Sequence, residues 1–175
     1  MSAIIDCAEK RDVHPMTLVY LIRNGRVLLL KRNADKAMVP GQWLGVGGKL
    51  EPGEGLLSSA ARECREEAGV HPLDLTFRGT FTFVSSKPRV GVLYLFTATS
   101  WGGEVRTTCD EGTLEWHPIE RVLELPDLAN HQEFFLPRLL TDPTYVFSGF
   151  AVYDHGQLLH RADSDAWIAR RASGS

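Results

Sequence analysis

Apolar and polar positions divide the chain into short stretches. Residues 16–22 and 27–30 are β-rich apolar runs on either side of Arg23-Asn24-Gly25-Arg26. Asn-Gly between such runs marks a two-residue hairpin turn, because both central positions must take positive φ. Residues 33–42 are polar, contain Pro40-Gly41 and read as a loop. A short apolar, glycine-rich stretch follows at 43–48. Residues 55–68 have helix composition, with Gly69 as the stop. Residues 75–85 and 90–99 predict two long strands around the turn Ser86-Lys87-Pro88-Arg89, and Gly102-Gly103 marks another turn. A strand is expected at 113–117, a short helix at 118–125, and a helix at 131–140 kinked or ended by Pro137. Residues 145–153 and 158–160 predict a final hairpin around His155-Gly156. Hairpins mixed with a few helices predict one α+β or α/β/α layered domain over residues 16–162. Residues 1–15 and 163–175 read as tails.

Composition narrows the class. The chain has 175 residues, 43% hydrophobic and 23% charged, which is globular composition. Lys and Arg number 19 against 22 Asp and Glu, a formal charge of −3, so binding to long nucleic acid is not expected. No apolar run approaches the ~18 residues of a membrane span, and residues 1–16 have no signal-peptide core. Cys7, Cys64 and Cys109 form no C-x-x-C pair and no disulfide framework, so a reduced, cytoplasmic setting is expected. An anionic ligand would then need local groups or a metal to hold it.

The chemistry concentrates in one segment, Gly47-Gly48-Lys49-Leu50-Glu51-Pro52-Gly53-Glu54, continuing to Arg62-Glu63-Cys64-Arg65-Glu66-Glu67-Ala68-Gly69-Val70. On a helix of 3.6 residues per turn, Glu63, Glu66 and Glu67 share an arc of about 100°. Leu57, Ala61, Cys64 and Ala68 fall together beside it and predict a core-facing stripe, with Cys64 as core and not nucleophile. The bland reading of the acidic face is a solvated surface. Against it, Glu63 and Glu67 repel at i,i+4 unless something neutralises them. Glycines just before the helix also allow a tight turn to approach its carboxylates. Hard oxygen ligands of this kind suit Mg²⁺ or Mn²⁺, and magnesium commonly takes substrate phosphate oxygens as well.

This segment resembles the Nudix box, G-x5-E-x7-R-E-U-x-E-E-x-G-U, with U a bulky apolar residue. Gly48, Glu54, Arg62, Glu63, Glu66, Glu67 and Gly69 fill its fixed positions, Val70 fills the last U, and Cys64 stands at the first. The likeness extends across roughly residues 16–160. It implies an α/β/α sandwich with a mixed central β-sheet and hydrolysis of a nucleoside diphosphate linked to another group, assisted by Mg²⁺ or Mn²⁺. It implies Glu63, Glu66 and Glu67 as metal ligands beside the Gly47 carbonyl. Arg62 would orient these carboxylates and Glu54 would brace the loop. Glu111 resembles a downstream glutamate that serves as metal ligand or general base, a role it would share with Glu63. Lys49 resembles a phosphate-contacting lysine, and Lys31 or Arg32 a basic pair facing the polyphosphate; a solvated strand end is the alternative for that pair.

The run from Pro40 to Lys49 resembles the MutT-type triphosphatases of the same family, as do Phe134-Phe135-Leu136-Pro137 and Phe147-Ser148-Gly149-Phe150. Two positions depart. Leu44 stands where an Asn often reads the purine, and His131-Gln132 where an acidic pair reads the base in animal-type members. Triphosphate cleavage with modest base discrimination follows, with Leu44 and Gln132 as candidate contacts to the base. Trp43 either stacks on the base or is a buried strand residue. The competing substrates are ADP-ribose, dinucleoside polyphosphates and nucleotide sugars; the Pro or Tyr markers of some of those groups are missing near Ser85 and Ser86. A non-catalytic nucleotide-binding module is the other alternative, though such modules usually lose box glutamates. No GxGxxG, P-loop or H-E-x-x-H pattern occurs. The expected partner is a small nucleotide, with no membrane, and the expected state a monomer or homodimer.

Overall fold

The structure is a computed structural model and describes residues 12–85, 89–155 and 157–163. In chain order the strands are β1 (Asp12–Arg23), β2 (Arg26–Arg32), β3 (Trp43–Leu44), β4 (His71–Pro72), β5 (Thr76–Val84) and β6 (Arg89–Ala98). They continue as β7 (Trp101–Gly102), β8 (Thr108–Cys109), β9 (Gly112–Pro118), β10 (Phe147–Asp154) and β11 (Gln157–Asp163). Helix α1 spans Leu56–Glu63 and α2 spans Leu136–Thr141.

One mixed sheet runs β11-β10-β5-β6-β1-β2-β9-β8, with β3 added alongside β2 and a separate β4–β7 pair. The β1–β6 and β10–β5 pairs are parallel. Side-chain alternation explains why β1 and β2 read as unbroken apolar runs. Leu18, Tyr20, Val27 and Leu29 enter one core with α2, whereas Val19, Leu21, Leu28 and Leu30 enter the other with α1. A strand buried on both faces has no polar side to show. The result is the expected three-layer α+β sandwich.

The turn between β1 and β2 has positive φ at Asn24 (52°) and Gly25 (69°), as Asn-Gly predicts. Strand β1 reaches back to Asp12, so residues 12–15, read from sequence as tail, pair with β6. Pattern arguments see no apolar run there because pairing is supplied by a strand some seventy residues away. The expected helix at 118–125 is a 3₁₀ segment, Ile119–Glu124. That at 131–140 divides into a 3₁₀ segment, Asn130–Phe134, and α2, which carries Pro137 in its first turn. Most of the expected turn at 86–89, Gly156, and residues 164–175 lie outside the described residues. No helix among the described residues is long and apolar enough to cross a membrane.

Arg78 is buried at a bulge in β5, where the β6 register skips from Phe77 to Gly79. Its guanidinium donates to the Tyr145 carbonyl (3.0 Å), to Thr97 Oγ1 (3.3 Å) and to the Asp142 carbonyl. This ties the loop after α2 to the sheet, and so holds β10 beside β5.

Candidate active site

The glycine-rich stretch after β3 lies along β1. Thr17 N–H donates to the Gly48 carbonyl (2.9 Å), and Val19 and Val46 exchange both backbone bonds. A Cβ on Gly47 would meet the Thr17 carbonyl at 2.0 Å, and one on Gly48 would meet Glu63 Oε1 at 2.3 Å. Glycine is required at both places for closeness of approach. The first serves the backbone; the second leaves room for a carboxylate.

The helix that follows is not α-helical throughout. Residues Cys64–Ala68 form a π-helical turn closed by Gly69, whose φ is 75°. Wider i→i+5 turns rotate each residue less than α-turns do. Glu67 therefore comes into line with Glu63, and Glu66 rotates off their shared face. Glu63 and Glu67 are buried, at 8% and 4% exposure, while the Glu66 side chain is 59% exposed. The expected arc shared by Glu63, Glu66 and Glu67 divides into two buried carboxylates and one outlying one. The apolar stripe also shifts. Leu57 is exposed, and Ala60, Cys64 and Ala68 carry the packing.

Arg62 organises the acidic residues. It grips Glu54 through both carboxylate oxygens (2.9 and 3.0 Å), and its Nη1 reaches Glu63 Oε1 and Glu66 Oε2, each at 2.9 Å. Its Nη2 also donates to the Lys49 carbonyl (3.1 Å). Glu54 accepts from the Glu51 N–H as well (3.1 Å), and the Arg62 hydrogen bonds hold its pKa down at about 2. Glu67 accepts from the Gly47 N–H (2.8 Å). Burial pushes Glu67 up to about 8, and burial also raises Glu63. Glu111, in the turn between β8 and β9, is held by Lys36 Nζ (2.9 Å) and Arg32 Nη2 (3.1 Å).

Glu63, Glu66, Glu67 and Glu111 line one cleft of about 1560 Å³, together with Arg32, Lys49 and Leu44. The cleft continues against Phe81, Phe83, Leu93, His131 and Tyr153. Phe81 and His131 stack at 5.6 Å between ring centroids, 16° from parallel. His131 Nε2 and Tyr153 Oη are buried without a hydrogen-bond partner. Neither Tyr153 nor the phenylalanines carries a local sequence signal. They arrive from strands paired across the sheet.

Three residues expected to touch substrate do not line this cleft. Lys31 follows the alternation of β2 onto the other face from Arg32, where it pairs with Asp127 (3.5 Å) and lies over the Trp43 ring (5.3 Å). Trp43 is 6% exposed and packs edge-on against His117, 4.6 Å between centroids. Gln132 is fully buried; its Oε1 accepts from Tyr20 Oη (2.8 Å) and its Nε2 donates to the Trp43 carbonyl. Both ends of the amide are used internally, so Gln132 ties the Asn130–Phe134 segment to β1 and β3. Gln132→Ala should lower stability by about 2–3 kcal/mol, since it strands two buried partners. It should leave the ratio of kcat/KM between nucleotides within about twofold. A changed ratio in a stable variant would return Gln132 to the binding site.

The donor set fits a hard divalent cation in one respect and limits it in another. Glu63 and Glu67 are buried carboxylates at elevated pKa, the condition that a bound dication relieves. Among the described residues, no three His, Cys, Asp or Glu side chains come together to enclose an ion. Mg²⁺ commonly binds through one or two carboxylates and takes waters and phosphate oxygens for the rest, which this arrangement allows.

Comparison with known proteins agrees with this geometry. A NUDIX domain model matches residues 13–139. Over 115 residues the chain is 31% identical to the "uncharacterized Nudix hydrolase YvcI" of Bacillus subtilis, covering 63% of this chain and 70% of that protein. It is 32% identical over 127 residues to the oxidized purine nucleoside triphosphate hydrolase of Mus musculus, 71% of this chain and 78% of that one. Its fold is similar to the crystal structure of a MutT protein from Bacillus halodurans, with a TM-score of 0.76, 27% identity, and 87% and 98% of the two chains covered. With the box glutamates gathered by Arg62 against the paired glycines, the chain belongs to the Nudix hydrolase family.

Proposed function

We propose that the chain hydrolyses nucleoside triphosphates to the monophosphate and pyrophosphate, with Mg²⁺ or Mn²⁺. The observation that carries this is the single cleft joining the carboxylates of the box to an aromatic wall. One part suits a polyphosphate and the other a flat base. The mouse relative, named for oxidized purine nucleoside triphosphates, supports the same substrate class.

Within this reading the chain's own groups divide the work. Water adds to phosphorus while the bridging P–O bond breaks, and the water's proton passes to a carboxylate. Glu63 or Glu111 would accept it, and the rise in the Glu63 pKa caused by burial supports Glu63 as a base. Arg62 keeps the Glu63 carboxylate oriented, and the Gly47 N–H keeps Glu67 oriented. Arg32 and Lys49 face the cleft as cations for the phosphates. Glu63 and Glu67 would hold the divalent ion, with Glu66 and Glu111 further along the same cleft. The ion, when bound, lowers the pKa of water and offsets phosphate charge.

For the base, Leu44 offers only an apolar wall, which rejects a wrong partner by ~1–3 kcal/mol. The test is product-resolved hydrolysis of dGTP, 8-oxo-dGTP, ADP-ribose and a dinucleoside polyphosphate. Triphosphates should be preferred, with kcat/KM for dGTP and 8-oxo-dGTP within about 100-fold of each other. A larger ratio would assign base reading to His131 Nε2 and Tyr153 Oη. Absence of triphosphate cleavage would overturn the substrate class.

A further inference from the structure

Lys36 stands outside the Nudix box, in the loop of residues 33–42, and is not among the residues lining the cleft. Its Nζ lies 2.9 Å from Glu111 Oε1, and Arg32 Nη2 lies 3.1 Å from Glu111 Oε2. The backbone completes the junction. Asn33 N–H donates to the Glu111 carbonyl (2.9 Å), and Asn33 Nδ2 donates to the Asp110 carbonyl (3.3 Å). Three contacts from this loop, and one from Arg32 at the end of β2, thus hold the turn that carries Glu111.

Glu111 needs such a clamp for an electrostatic reason. It shares the cleft with Glu63 and Glu67, both buried, and like charges repel. Glu63 has Arg62 as its cation, and Glu67 has the Gly47 N–H. Glu111 has Lys36 and Arg32. The two cations are not equivalent. Arg32 lines the cleft, and its buried Nε has no hydrogen-bond partner. Among the described residues, Lys36 Nζ is bonded to Glu111.

We propose that Lys36 is a positioning residue for Glu111, holding this carboxylate at the cleft through the Lys36–Glu111 ion pair. The inference rests on the hydrolase reading above and adds a residue to it. Because Lys36 acts through Glu111 and not on substrate, its loss should appear in kcat and not in KM.

The test compares Lys36→Met, Lys36→Arg, Glu111→Gln and the double variant Lys36→Met/Glu111→Gln, with dGTP and Mg²⁺. Lys36→Met should lower kcat about tenfold with KM within twofold, and Lys36→Arg should recover most of the loss. In the Glu111→Gln background, Lys36→Met should change kcat by less than about twofold, the coupling expected of residues that act together. A second readout needs no turnover. In metal-free protein, Lys36→Met should lower Tm by about 1–3 °C, and by less when Glu111 is already Gln. A raised KM at unchanged kcat would make Lys36 a direct phosphate contact and overturn the proposal. So would an equal loss in the Glu111→Gln background, a faster Lys36→Met enzyme, or full activity of Glu111→Gln. Wild-type turnover by Glu67→Gln would instead overturn the hydrolase site itself, which keeps the two failures apart.

Discussion

Glu67→Gln is expected to cut turnover by at least ~10²-fold while the fold survives, because it removes one of the two buried charges available to a metal. The amide is nearly isosteric and keeps an oxygen for the Gly47 N–H, now 2.8 Å from the carboxylate. Burial disfavours the charged form of Glu67, so a neutral side chain there avoids the desolvation of a buried charge. Glu63→Gln should reduce turnover comparably, since it removes the other buried carboxylate charge while leaving an oxygen for Arg62, now 2.9 Å away. Steady-state kinetics with circular dichroism as the folding control decides the matter. Near-wild-type rates in both variants, or loss of the folded spectrum, would remove the metal-site assignment.

Excess EDTA should abolish hydrolysis, Mg²⁺ or Mn²⁺ should restore it, and Ca²⁺ should restore it poorly. Calcium accepts a looser coordination shell and orients the attacking water less well. The same metal-free protein carries a pH signature. Glu67 is raised from 4.5 to about 8 in the folded state, so between those values the native protein binds more protons than the unfolded chain. Its contribution is fully present below about pH 4.5 and is lost as pH rises through about 8. The Tm of EDTA-treated protein should therefore fall across this window, and Glu67→Gln should flatten the slope. Full activity in EDTA would overturn the metal-dependent reading, whereas no hydrolysis with any of these ions would favour a nucleotide-binding module without catalysis. A Glu67→Gln slope equal to wild type would show that other groups set the pH dependence.

Much of this was legible in sequence because it is local. The hairpin at Asn24-Gly25 needs only a turn that tolerates positive φ, and the helix stop at Gly69 only a left-handed residue. The box itself is a local pattern. Arg62, Glu63, Glu66 and Glu67 lie within two turns, and Glu54 lies one loop before them. The grouping of an acidic helix with paired glycines could thus be read without coordinates, as could the burial of Cys64. Where the reading erred locally, the cause was an assumed uniform helix. The π-helical turn at Cys64–Ala68 changes the phase and separates Glu66 from its neighbours.

Residue order alone determined the family, the layered α+β architecture and the carboxylate-rich segment, since each depends on spacing over a few turns. Tertiary structure decided which side of each strand meets the cleft. Lys31 and Arg32 are adjacent and alike in charge, yet β2 sends them to opposite faces, and only Arg32 reaches Glu111. Gln132 and His131 are likewise adjacent, yet one is consumed by Tyr20 and the Trp43 carbonyl while the other lines the cleft. Lys36 meets Glu111 across 75 residues, and Tyr153 enters from β10 by parallel pairing with β5. Such meetings depend on strand order and on alternate side-chain direction along a strand, which local sequence constrains weakly because pairing energy comes from the partner strand.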